Sequence, residues 1–207
     1  MYPPFELGAL LPANRFFKNK ATGNGGTLEI ARRQTHISPA NGVGQMERQI
    51  TDAKSFWGAL GIRATGVAVV TAAGENGPSG FLALSATHLS ASPPTMTISV
   101  SLTTSAYADI VSSGRFAINY LSKEADAVYQ RFSAWDAPKG AERFTGLDYA
   151  AGKSGAPIFK QTTGSLECEV EEIIERHGTA LVIGKILSAT DNEGTLPLVH
   201  YRGKILG

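Results

Sequence analysis

The short links between successive β-patterned runs constrain this chain most. Gly66-Val67-Ala68-Val69-Val70-Thr71 is β-branched and apolar, as a strand requires. Met96 to Leu102 alternates: Met96, Ile98, Val100 and Leu102 share one face, and Thr97, Ser99 and Ser101 the other. Arg115–Leu121, Gly164–Ile174, Ala180–Ala189 and Leu198–Arg202 carry further strand patterns. Most links between them are too short for the crossover that parallel neighbours need, so the sheet is predicted to be largely antiparallel. An antiparallel sheet of this size removes its exposed edges by closing into a barrel. The expectation is a mainly β barrel with a few short peripheral helices.

Turn and cap residues place the other elements. Glu75-Asn76-Gly77-Pro78 predicts a hairpin between Val67–Thr71 and the segment from Gly80. Pro93-Pro94 ends the next element. Thr51 or Asp52 can cap a first helix with Phe56 and Leu60 on one face. Thr104 can cap a second, stopped by Gly114. Ser122 can cap a third through Arg131, with Val128 and Phe132 paired at i, i+4. Asp136 to Gly155 is rich in Gly, Pro and charge and reads as a long surface excursion. Residues 1–46 have Gly23, Gly25, Gly26, Pro39 and Gly42 among polar residues and no sustained period. They read as an irregular N-terminal arm, followed by one domain over 47–207.

Bulk properties narrow the partners. With 207 residues, 43% hydrophobic, one sizeable core is expected. The 19 basic and 18 acidic residues leave a net charge of +1, which argues against nucleic acid or an anionic membrane surface as partner. No apolar run approaches the ~20 residues of a membrane span. Leu7 to Leu11 is preceded by Glu6 and no basic residue, which is a poor signal peptide pattern. The single cysteine, Cys168, sits in the alternating run Leu166–Val170 and reads as a buried structural thiol in a cytoplasmic protein.

Familiar catalytic constellations are missing. His36, His88, His177 and His200 are scattered, so no metal site is expected. No nucleophile elbow is present, and the glycines at 23–26 match neither dinucleotide nor Walker spacing. Glu167, Glu169 and Glu171 alternate with apolar residues and read as a solvated sheet face. What remains is Ser99 and Ser101 leading to Thr103, Thr104 and Ser105. Hydroxyls beside the free N–H groups of a helix start can bind an anion without lysine. A hydroxyl-rich strand edge followed by a routine N-cap accounts for the same residues, and composition alone favours that plainer account.

An ordered series of short landmarks changes the balance. It runs Ala64-Thr65-Gly66-Val67, Gly80-Phe81 to Ser85, Ser90 through Pro94, and Ser112-Gly114-Phe116-Ala117-Asn119-Leu121. It continues with Arg131-Phe132, Arg143-Phe144-Gly146, Gly155-Pro157, Ser165–Cys168, Ile183-Gly184, Pro197-Leu198 and Tyr201-Arg202-Gly203. In this order, over roughly Phe56 to Gly203, the chain resembles the flavin reductase-like, FMN-binding split-barrel proteins. These include the reductase components of two-component flavin-dependent monooxygenases.

The resemblance implies a split β-barrel homodimer that binds FMN or FAD and oxidises NADH or NADPH. A flavin-dependent monooxygenase would take the reduced flavin. By this resemblance Gly80, Phe81, Leu82 and Ala83 lie along the flavin ring, and Leu84 and Ser85 bracket its polar edge. Ser99, Ser101, Thr103, Thr104 and Ser105 hold the ribityl chain and phosphate. Hydride passes directly to the flavin, so no catalytic acid or base is expected in the chain. Many relatives carry Thr-Ala-Ser-Ser where this chain has Leu82-Ala83-Leu84-Ser85, and Gly-Asp-His where it has His177-Gly178-Thr179. Thr179 thus takes the place of a nicotinamide-side histidine, and His177 is the other candidate there. A flavin-binding electron carrier without nicotinamide turnover is the alternative. An oxidase on the related pyridoxamine-phosphate-oxidase-like barrel is disfavoured by the lack of a basic cluster for a second phosphate.

Overall fold

The computed structural model describes residues 47–206, so the N-terminal arm expected over 1–46 lies outside the described residues. Asp52 caps the first helix, α1 (Ala53–Leu60), in a reciprocal capping box with Ser55. Two short strands follow: β1 (Thr65–Gly66) and β2 (Ala68–Gly74). Glu75 and Asn76 turn the chain into β3 (Gly77–Ala83), giving the predicted hairpin. β4 (Thr87–Ala91) turns at Ser92-Pro93 into β5 (Pro94–Ser101). Helix α2 (Ser105–Ser113) ends at Gly114, whose φ of 64° is the left-handed stop expected of it.

β6 (Arg115–Leu121) leads to α3 (Asp126–Ser133). Ser122 does not cap this helix, contrary to expectation. Its amide donates to the Gln161 carbonyl, and its backbone bridges to Pro197, which holds it in sheet geometry. The segment read as a surface excursion is partly structural. It contains a 3-10 turn over Gly140–Phe144 and the strand β7 (Tyr149–Ala151), which pairs with β8 (Pro157–Phe159). β9 (Thr162–Arg176) and β10 (Thr179–Asp191) form a hairpin longer than predicted. His177 and Gly178, at φ 51° and 75°, make its two-residue turn, matching the right-handed strand twist. β11 (Val199–Tyr201) and β12 (Lys204–Leu206) close the described chain.

Seven strands make the main sheet, in the order β3-β2-β6-β9-β10-β5-β4, with every pairing antiparallel. Its two end strands, β3 and β4, are neighbours in sequence, linked only through Leu84, Ser85 and Ala86. So short a link brings the ends of the sheet back together, and the sheet curls into a split barrel. A second sheet, β1-β11-β12, lies alongside in the same chain.

β2 explains its continuous apolar sequence by being covered on both faces. Ala68, Val70 and Ala72 join a core with Ile98, Phe116, Ile118, Cys168 and Val182. Val67 and Val69 join a second core with Leu121, Phe132, Phe144 and Phe159. Phe144 and Phe159 stack with centroids 5.7 Å apart, and Phe132 meets both edge-on. The buried Asn119 carboxamide crosses between strands. It donates to the Val69 and Pro157 carbonyls and to Thr71 Oγ1, and accepts from the Phe159 amide and Ser165 hydroxyl. Cys168 is a buried free thiol, as expected, and burial pushes its pKa up to about 12.

Glu167 corrects the reading of a solvated acidic face: it is 6% exposed. The Ser154 amide and hydroxyl each donate to its Oε2 at 2.6 Å, and Ser188 donates to Oε1 at 2.9 Å. Burial alone would raise its pKa. These donors, with the Lys153 backbone, outweigh burial and hold it below the ordinary carboxylate value. Among the described residues no helix is long and apolar enough to cross a membrane.

Candidate functional site

A cleft of about 560 Å³ opens beside β3 and the start of α2. Gly80, Phe81 and Leu82 form one wall. Gly80 must be glycine for packing, since a Cβ there would sit 2.7 Å from the Val70 carbonyl oxygen and 3.2 Å from the Phe132 ring. Phe132 itself lines the cleft, so the wall is apolar and its position is set by the second core.

Ser101, Thr103, Thr104 and Ser105 add a hydroxyl-bearing wall. The chain tightens there: the Thr104 amide donates to the Ser101 carbonyl, and the Thr103 amide to Ser101 Oγ. Ser101 and Thr103 hydroxyls lie 3.0 Å apart. Thr104 occupies the N-cap of α2 with extended backbone, yet its side chain makes no capping bond. Its hydroxyl is therefore not consumed by the helix, unlike Asp52 in α1. Tyr107 Oη donates to Glu175, which ties the first turn of α2 to the β9–β10 hairpin and raises the Tyr107 pKa.

The third wall comes from the segment after α3: Lys139, Gly140 and Arg143. Two basic side chains thus line the cleft together with the hydroxyls. The Arg143 Nε donates to the Pro138 carbonyl at 2.8 Å, and its guanidinium lies 5.3 Å from the Phe132 ring centroid. Partial burial lowers its pKa, although an arginine stays charged throughout the ordinary pH range. Among the described residues no Asp or Glu lines the cleft. Sequence reading missed Phe132, Lys139, Gly140 and Arg143 as site residues. Arg131-Phe132 and Arg143-Phe144 were visible as landmarks, but nothing local showed that they face Ser101.

Other predicted site residues stand outside the cleft lining. Ala83 is buried in the first core, and Leu84 packs against the second. The Leu84 carbonyl accepts a bond from Arg63. Ser85 spends its hydroxyl on the Ser99 backbone. The Ser99 side chain is exposed. Thr179 pairs with Ser101 across β10 and β5, so their side chains share a face at the end of the hydroxyl wall. His177 is exposed at the hairpin turn, and the neighbouring Gly178 carbonyl accepts the Leu102 amide. Among the described residues no His, Cys, Asp and Glu cluster could hold a metal.

An apolar wall, a hydroxyl wall and two cations fit a planar aromatic group with an anionic tail, and the volume is in the usual range for such ligands.

Comparison with known proteins agrees with that fit. The chain is 35% identical over 159 residues to a probable flavin reductase of Rhizobium meliloti (strain 1021). That match covers 76% of this chain and 50% of the relative, so the chain spans about half of that protein's length. It is 28% identical over 171 residues to HsaB, the reductase subunit of a flavin-dependent monooxygenase of Rhodococcus jostii (strain RHA1). That match covers 83% of this chain and 86% of the relative. Among solved structures, the NADH:FAD oxidoreductase SgcE6 of Streptomyces globisporus C-1027 superposes with a TM-score of 0.70 at 26% identity, covering 78% of this chain and 98% of that one. The family model for the flavin reductase like domain matches residues 60–206, and the chain belongs to that family.

Proposed function

We propose that this protein is an NAD(P)H:flavin oxidoreductase that passes reduced flavin, FMN or FAD, to a flavin-dependent monooxygenase. The observation that carries this reading is the three-walled cleft. Its apolar, hydroxyl and cationic surfaces match the ring, ribityl chain and phosphate of a flavin. The names of the relatives support the same activity, and the HsaB match supports the monooxygenase partner.

The bound flavin supplies the hydride acceptor. The chain's own residues have simpler tasks. Phe81, Leu82 and Phe132 present apolar surface to the ring and exclude water. Ser101, Thr103, Thr104 and Ser105 orient the polar tail by hydrogen bonds. Lys139 and Arg143 balance its charge. Among the lining residues no carboxylate or imidazole is present to move a proton, which suits a reaction that needs none from the protein.

The test is direct. Purified protein with FMN or FAD is mixed with NADH or NADPH, and nicotinamide absorbance is followed anaerobically and in air. Flavin-dependent oxidation is expected with at least one donor; its absence with both would sink the reductase reading. A flavin-binding carrier is the second reading, favoured by Thr179, which by the resemblance stands where a nicotinamide-side histidine is expected. It would bind flavin without consuming either nicotinamide.

A homodimer belongs to this proposal as well. Leu89, Leu181 and Leu187 are exposed large apolar residues on β4 and β10, a surface suited to a second copy. Sedimentation should give twice the monomer mass. A cytoplasmic location is supported by the single, buried, unpaired cysteine.

A further inference from the structure

The start of α2 is held without a side-chain cap. An N-cap hydroxyl ordinarily accepts from the amide two or three residues on. In α2 the Tyr107 amide donates instead to the Thr104 carbonyl at 2.9 Å, and the Thr104 side chain makes no capping bond. In place of a cap, this segment is tied to the β9–β10 hairpin. The Leu102 amide donates to the Gly178 carbonyl at 3.1 Å, and the Tyr107 hydroxyl donates to Glu175 Oε1. Strand pairing explains the reach. Glu175 stands opposite Ala180, and Ala180 opposite Val100, so all three share the face on which Tyr107 packs against the first core. The bond to Glu175 is the main cause of the raised Tyr107 pKa, so the phenol keeps its proton at neutral pH and remains a donor. Tyr107 and Glu175 both stand outside the cleft lining.

We propose that Glu175, acting through Tyr107, is a positioning residue for the cleft: it holds the first turn of α2 from outside and so leaves the Thr104 hydroxyl free for a ligand. This rests on the flavin reading above and adds to it a residue that touches no flavin atom. One hydroxyl has two competing uses, capping its own helix or bonding a ligand. While the hairpin carries the helix start, the first use is not needed. Without the tie, the start of α2 relaxes into an ordinary cap, the Thr104 hydroxyl turns back to the helix amides, and the ligand loses a partner.

The experiment titrates FMN into wild type, Tyr107→Phe, Glu175→Ala and Glu175→Gln, following flavin fluorescence, and repeats Glu175→Ala in a Thr104→Ala background. Tyr107→Phe and Glu175→Ala should each weaken FMN by about threefold to tenfold, the scale of one hydrogen bond. Their combination should lose no more than either alone, because the two residues form one tie. Glu175→Gln keeps an acceptor for the phenol and should restore most of the affinity that Glu175→Ala loses. In the Thr104→Ala background Glu175→Ala should cost nothing further. Glu175 is exposed and Tyr107→Phe keeps the ring on the core, so these variants are expected to fold. Additive losses for Glu175 and Thr104 would overturn the proposal, since Glu175 would then support the fold and not that hydroxyl. So would wild-type affinity in both Tyr107→Phe and Glu175→Ala, or Glu175→Gln as weak as Glu175→Ala. Failure of the wild type to bind FMN or FAD at all would instead overturn the flavin reading.

Discussion

The Ser85 hydroxyl and the Ser99 backbone hold each other in both directions: the Ser99 amide donates to Ser85 Oγ at 3.0 Å, and that hydroxyl donates to the Ser99 carbonyl at 3.3 Å. The β4–β5 ladder pairs Thr87 with Thr97, so Ser85 and Ser99 stand where its next rung would fall. The chain is already turning from β3 there, and a side chain replaces the missing backbone rung. Ser85→Ala should therefore cost about 1 kcal/mol, the ordinary net value of such bonds. Urea unfolding should show a lower midpoint at unchanged slope. An unchanged midpoint would mean that the hydroxyl only decorates the split.

Thr104 offers a separation of stability from binding. A working N-cap loses about 1 kcal/mol on replacement by alanine. Thr104 makes no capping bond, so Thr104→Ala should leave the thermal midpoint nearly unchanged. Flavin affinity, measured by fluorescence, should fall, and fall further with Ser105→Ala added. Unchanged affinity in the double variant would place the phosphate elsewhere.

Gly80→Ala should destabilise by about 2 kcal/mol, as overpacking does. The new methyl would press on the Val70 carbonyl, Phe132 and Phe144, and so displace a wall of the cleft. Gly66 is the control, because a Cβ there meets nothing within 4 Å. Gly66→Ala should unfold at the wild-type denaturant concentration, while Gly80→Ala should lose both stability and flavin affinity.

Glu167 gives the protein a defined acid sensitivity. Its folded pKa lies below the ordinary carboxylate value, so the unfolded state binds its proton first. The resulting stability is complete above the unfolded value and disappears as pH falls through the folded one. Unfolding midpoints measured from neutral pH downward should drop more steeply in wild type than in Glu167→Gln. Parallel curves would show that the three donors stabilise the neutral acid equally well.

Asn119→Ala should be among the most costly single changes, at about 3 kcal/mol or more. It leaves the Phe159 amide and the Ser165 hydroxyl without their acceptor in a dry interior. Denaturant unfolding measures this loss. A cost below 1 kcal/mol, the scale of a single surface bond, would indicate that water replaces the amide.

The sequence alone determined what depends on neighbours in the chain. Alternation at Ile98–Ser101, the Glu75-Asn76 turn, the Gly114 stop and the Asp52 cap are local, and all stand in the structure as read. Short links between strands were enough to dictate antiparallel pairing. A period of two says which residues share a face, but not what covers that face. Hence Glu167, read as solvated, lies under Ser154 and Ser188. The fold also decided that Ser85 closes the split and that Lys139 and Arg143 complete the cleft. Those two cations lie more than thirty residues from Ser101 in sequence. Only the packing of Phe132 and Phe144 under Gly80 brings their segment against β3, and no local pattern records a contact made at that range.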